Sequence, residues 1–180
     1  MTLLREGVLL IEFALLVLYA IVMIFKKVKP VKFFYNLAFG LYISVIIAIC
    51  FFPIKLSGTI FQEAYNNFIP FKSIANTVKD SLSTSSLYGF ATLAGNFVLL
   101  MPLGVFFHFC IKEQKRRLLC VFLTSVAIET IQFIIGLLIG YNYRSVDIDD
   151  VILNTVGGII AVLIFDFAYK KLKERKSQSK

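Results

Sequence analysis

Long apolar stretches separated by short polar breaks dominate this chain. Five of them are long enough to cross a ~30 Å hydrocarbon layer as helices, which takes roughly 20 residues. They run from about Gly7 to Phe25, Phe34 to Pro53, Gly89 to Ile111, Leu118 to Ile139 and Asp150 to Tyr169. The pattern predicts an all-α integral membrane protein, a bundle of about five transmembrane helices. The first stretch reads as a retained anchor rather than a cleaved signal. Glu12 interrupts it, Lys26 and Lys27 follow it directly, and no small-x-small pattern precedes those lysines. Ile54–Tyr88 is the one long outer loop, with a middle apolar enough to lie on the membrane surface. Its run Ser81–Ser86 reads as a hinge or a helix start.

Composition agrees with lipid as the solvent. Hydrophobic residues make up 58% of the chain and charged residues 17%, more apolar than the ~45–50% of a soluble domain. The net charge of +8 does not point to nucleic acid, because the basic residues sit in short clusters between apolar stretches. Four lie in Lys26–Lys32, four in Lys112–Arg117 and six in Tyr169–Lys180. The others are Arg5, Lys55, Lys72, Lys79 and Arg144. With five spans the two groups alternate between faces. The amino terminus is then outside, and the basic tail 169–180, a charged extension of the last helix, is cytoplasmic and frays or rests on anionic lipid. Cys50, Cys110 and Cys120 lack CxxC spacing and imply no disulfide framework.

Polar side chains inside the spans carry the functional signal, because an ionisable group near the membrane centre costs ~2.5–3.5 kcal/mol or more. Span one holds Glu12, and span three holds Thr92 and Asn96. Ser125, Glu129, Gln132 and Gly136 are spaced 4, 3, 4 and share a face of span four; Asp150, Asn154 and Gly157 are spaced 4, 3 and share a face of span five. Such stripes belong in a bundle interior. Glu129 falls near the middle of its span; Glu12, Asn96, Gln132 and Asn154 fall in the outer halves of theirs. Gly140–Asp149 adds Asn142, Arg144, Asp147 and Asp149 on the outer side. The groups converge on an outer cavity above an almost purely apolar inner half. Each has a plainer reading. Asn96 and Gln132 tie helices together, Asp147 with Asp150 caps a helix, Arg144 is a surface charge, and Glu12 snorkels. Pro102 and Gly104 shape their helix, and His108 is interfacial. Glu129 is too deep for a plain reading. Together, carboxylates, amides and a guanidinium at one level suit a phosphate: Arg forks onto its oxygens and a carboxylate serves as base. Asp147, Asp149 and Asp150 also suit a hard divalent cation through oxygen ligands, although their spacing is no known metal loop.

Three segments, in order, resemble the VanZ-like family. They are Asn67-Phe68-Ile69-Pro70-Phe71, then Asn96-Phe97-Val98-Leu99-Leu100-Met101-Pro102-Leu103-Gly104, then Ser125 and Glu129-x-x-Gln132 through Arg144-Ser145-Val146-Asp147-Ile148-Asp149-Asp150 to Asn154-Thr155-Val156-Gly157. The resemblance covers about residues 60–165, with Ala161 where a glycine is expected. It divides the chain into an anchor and basic loop (1–33), a VanZ-like transmembrane domain (34–168) and the basic tail (169–180). VanZ-like proteins are associated with resistance to teicoplanin, a glycopeptide aimed at cell-wall precursors. The family is similar to the wider Lipocone group, proposed to act on phosphate-containing lipid head groups.

Two functions follow as expectations. In the first, an enzyme acts on a phosphate linkage of a lipid or lipid-linked wall precursor in the cell membrane. Glu129, Asp147 and Asp150 are then catalytic, Arg144, Asn96, Gln132, Asn154 and Asn67 hold substrate, and Asp149 holds a divalent cation if one is used. In the second, a non-catalytic protein binds or shields a precursor or the drug. A transporter is a weaker third, as there is no inverted repeat. Membrane lipids are the expected partners, and nucleic acid is not; the oligomeric state stays open.

Overall fold

The computed structural model describes residues 2–3, 5–26, 29–55 and 65–178. Seven helices account for most of them: α1 Arg5–Phe25, α2 Pro30–Phe51, α3 Lys72–Thr84, α4 Tyr88–Leu99, α5 Met101–Cys110, α6 Gln114–Ile139 and α7 Ile148–Gln178. Two two-residue strands, β1 Thr2–Leu3 and β2 Ile54–Lys55, pair antiparallel. Among the described residues, four helical stretches are long and apolar enough to cross a membrane: α2, α4 with α5 (Tyr88–Cys110), α6 and α7. The chain is a multi-pass, all-helical membrane protein. The first of the five expected spans is met only by a shorter apolar stretch, Leu9–Met23, inside α1.

The chain divides into two compact units. One comprises residues 1–63 with 136–143, the other 64–135 with 144–180. In the first, α1 and α2 form a hairpin. Pro30 opens α2 at a position where its missing N–H costs nothing and its fixed φ suits a helix. The Asn36 amide donates to the Tyr19 hydroxyl at 2.9 Å, and Glu12 of α1 hydrogen-bonds Ser44 of α2. Glu12 thus finds a partner on the neighbouring helix within its own unit.

In the second unit α7 is central, lying against both α4 and α5. The approach is close because the contact positions lack side chains. A Cβ on Gly157 would overlap the Phe97 carbonyl, and one on Gly104 would fall 2.6 Å from the Gly158 carbonyl oxygen. Lipid tails are as apolar as the helices, so backbone-to-backbone packing rather than the hydrophobic effect joins them. The break between α4 and α5 at Leu100 precedes Pro102, which cannot donate to the preceding turn. Both pieces still make one apolar stretch.

Ser81–Ser86 closes α3 rather than opening a helix. Ser85 adopts the left-handed conformation (φ 50°), and the Ser85 and Ser86 N–H groups both donate to the Ser81 carbonyl, as at many helix ends. Residues 56–64 of the expected outer loop lie outside the described residues. The tail continues α7 as helix to Gln178 instead of fraying.

Candidate functional site

The site grows from the start of α7. Asp147 precedes its first turn, and the Asp147 Oδ1 accepts the Asp149 N–H at 2.9 Å, an N-cap bond that satisfies one orphan donor. The same oxygen accepts the Asn67 amide at 2.8 Å. Asn67 is fixed in turn by its backbone. Its N–H donates to the Val146 carbonyl and its own carbonyl accepts from Ile148, both at 2.9 Å, forming a parallel bridge to Asp147. The Asn66 side chain accepts the Val146 N–H at 3.0 Å, and Ser145 Oγ donates to the Tyr65 carbonyl. The loop strand 65–67 therefore clamps the approach to α7.

Glu129 reaches this start from α6. Its Oε2 accepts the Asp147 N–H at 3.0 Å, and the residue is only 5% exposed. One turn earlier Ser125, fully buried, donates to the Val151 carbonyl at 3.1 Å and ties α6 to α7. Gln132, on the same face, is buried as well. From α4, the Asn96 amide donates to Asp150 Oδ1. Asn154, the next residue on the Asp150 face, is 2% exposed, and its Oδ1 has no partner among the described residues. Asp147, Asp150 and Arg144 all lie within electrostatic reach of Glu129.

The structure thus brings together Glu129, Asp147, Asp150, Arg144, Asn67 and Asn96 at one end of the unit, with Gln132 and Asn154 on the same two helix faces. Asp149 is different. Its side chain faces α3, where Oδ1 accepts the Phe71 N–H and Oδ2 the Ile74 N–H at 3.1 Å. A buried carboxylate there meets the positive end of a helix dipole. Each Asp149 oxygen accepts one backbone N–H, so the carboxylate is held against α3 rather than facing Glu129. Among the described residues, no group of three or more His, Cys, Asp or Glu side chains is arranged to hold a metal ion.

With this geometry in place, comparison with known proteins decides the family. A model of the VanZ/LLP1 family matches residues 39–169. The chain belongs to that family. No curated protein and no solved structure matches it significantly. The VanZ/LLP1 region contains every residue of the site and leaves α1 outside.

A second polar cluster corrects the expectation of an almost purely apolar inner half. Asp166 of α7 pairs with Arg117 Nη2, with His108 Nδ1 at 2.6 Å and with Gln114 Nε2 at 2.9 Å. Arg117 also donates to the carbonyls of Ile111 and Lys112 at 2.7 and 3.2 Å, which satisfies orphan groups beyond the end of α5. Arg117 is 6% exposed, so it is a buried tie rather than a free basic-loop charge. His108 is one of its members, edge-on to Phe165 and Tyr169. A charged residue inside the run Leu163-Ile164-Phe165-Asp166-Phe167 was the available signal.

Proposed function

We propose that this VanZ/LLP1 protein binds a phosphate-linked lipid head group at the Glu129–Asp147–Asp150 site, on the outer face of the cell membrane, and cleaves or exchanges it. The observation that carries the reading is the burial of Glu129 beside two further carboxylates and Arg144, a costly arrangement inside a membrane protein. Arg144 supplies the bidentate donor that a phosphate needs, and the Asn96, Asn67 and Gln132 amides add neutral donors. Glu129 takes the proton of an attacking water or hydroxyl. That oxygen bonds to phosphorus, and the bond to the leaving oxygen breaks as the leaving oxygen takes up a proton. The unpaired Asn154 Oδ1 is an acceptor for a bound hydroxyl or water. In this reading the basic clusters at Lys112–Arg117 and in the tail face the cytoplasm and the amino terminus lies outside.

A second reading, a non-catalytic protein that binds or shields a wall precursor or the drug, draws on one observation. The Asp147 and Asp149 carboxylates are already engaged in capping and loop bonds. Teicoplanin susceptibility of a sensitive Gram-positive host separates the two readings. Wild type and Glu129→Gln are compared at matched membrane level, alongside turnover of lipid by the purified protein. Catalysis requires that only the wild type raises tolerance and turns lipid over. Equal protection by both variants, without turnover, selects the binding reading.

A further inference from the structure

A cavity of about 360 Å³ lies beside the carboxylates, wholly within the second unit. That volume is in the range of small-ligand pockets, yet its walls are almost entirely apolar. Phe122, Val126 and Phe133 line it from α6, and Val151 lines it from α7. Among the described residues, the acidic groups on the wall are Glu129 and Asp147. Phe122 stands seven residues before Glu129, so the slot continues about 10 Å past the carboxylate along the membrane-crossing part of α6. Phe122 and Phe133 are also 44% and 39% exposed on a membrane-crossing helix. The slot is therefore continuous with the surface that meets hydrocarbon. Carboxylates on one part of an otherwise apolar slot suit an amphiphile: a head at Glu129 and Asp147 and a tail along α6 toward Phe122.

We infer that this slot seats one hydrocarbon chain of a membrane lipid whose head group meets Glu129 and Asp147. The head-group half of this inference rests on the proposed function; the chain half rests on the slot alone. A chain held between α6 and α7 fixes the depth and the approach of the head group, leaving less freedom to lose at the reacting centre. It also makes the protein selective for lipids over water-soluble phosphate esters.

Photolabelling tests it. The full-length protein is placed in phosphatidylglycerol–phosphatidylethanolamine vesicles carrying a trace of phosphatidylglycerol with a diazirine on one acyl chain. A parallel sample carries a diazirine-bearing polyprenyl phosphate, and labelled residues are mapped by mass spectrometry. Leu123 is the internal control, since it adjoins Phe122 at the same depth and is more exposed at 53%. Label on Phe122 and Val126 is expected about tenfold above Leu123, the ratio that a preference of about 1.4 kcal/mol produces. Whichever probe gives that pattern names the chain type. Label that follows exposure, strongest on Leu123 with both probes, overturns the inference. In Val126→Trp, which fills the slot, label on Phe122 and Val151 falls to the Leu123 level; unchanged label there overturns it too. Turnover of the vesicle lipid is read in parallel: label on Phe122 and Val126 without turnover overturns the head-group chemistry alone, and loss of that label pattern overturns the chain site.

Discussion

Asp149 joins two helices through a single carboxylate. It stands in the first turn of α7 and accepts two backbone N–H groups at the start of α3. It is 1% exposed, and removing it leaves the two part-buried N–H groups without their acceptor. Asp149→Ala is expected to cost about 1–3 kcal/mol, and Asp149→Asn, which keeps one acceptor, less. Thermal unfolding in detergent measures both, and equal midpoints for Ala and wild type would remove the latch. Arg117 works similarly between α6 and α7. Arg117→Ala leaves the part-buried Asp166 with only His108 and Gln114 as partners and is expected to cost about 1–3 kcal/mol. Arg117→Lys recovers only part of that, because one ammonium cannot span the carboxylate and two carbonyls. Glu129 and Asp150 were legible in the sequence as ionisable groups in apolar runs. The partner of each was not, because hydrogen bonds across 18 residues, Glu129 with Asp147, or 54, Asn96 with Asp150, leave no trace in spacing.

At the scale of elements, glycine placement separates packing from propensity. Gly157 sits where a side chain would overlap the Phe97 backbone, whereas Gly95 has open space around it. Gly157→Ala is expected to destabilise by about 1–3 kcal/mol, since backbone cannot yield as a side chain can. Gly95→Ala is expected to be neutral or to stabilise by up to about 1 kcal/mol through helix propensity. Unfolding midpoints decide it, and a similar loss for both would mean that α4 and α7 are not held by close approach. The end of α2 was legible at Pro53, whereas its start at Pro30 falls four residues before the expected Phe34. The α4–α5 break was read only as Pro102 bending one span, and α3 was not foreseen at all. Its start depends on Asp149, far away in sequence.

For the whole molecule, the arrangement of basic clusters predicts an amino terminus outside and a cytoplasmic tail. Single cysteines at Ser83 and Ser177, in a protein with Cys50, Cys110 and Cys120 replaced, are tested in whole cells with an impermeant thiol reagent. Label is expected at position 83 and absent at 177; the reverse inverts the topology. A third cysteine at Thr2 tests whether α1 crosses, with label there if it does. α7 also exceeds a membrane crossing. Its 31 residues span about 46 Å against a ~30 Å hydrocarbon layer, so its basic end emerges as helix. The sequence by itself determined the solvent, the helical class, the positions of the apolar stretches and the carboxylates that lipid does not tolerate. These follow from local composition, because each stretch must satisfy its own backbone in a medium without water. Only the tertiary structure decided that Asp149 turns to α3, that Asp166 gathers His108, Gln114 and Arg117, and that an apolar slot runs beside Glu129. Those depend on which faces of separate helices meet, and that is fixed by close packing and long-range hydrogen bonds rather than by any local pattern.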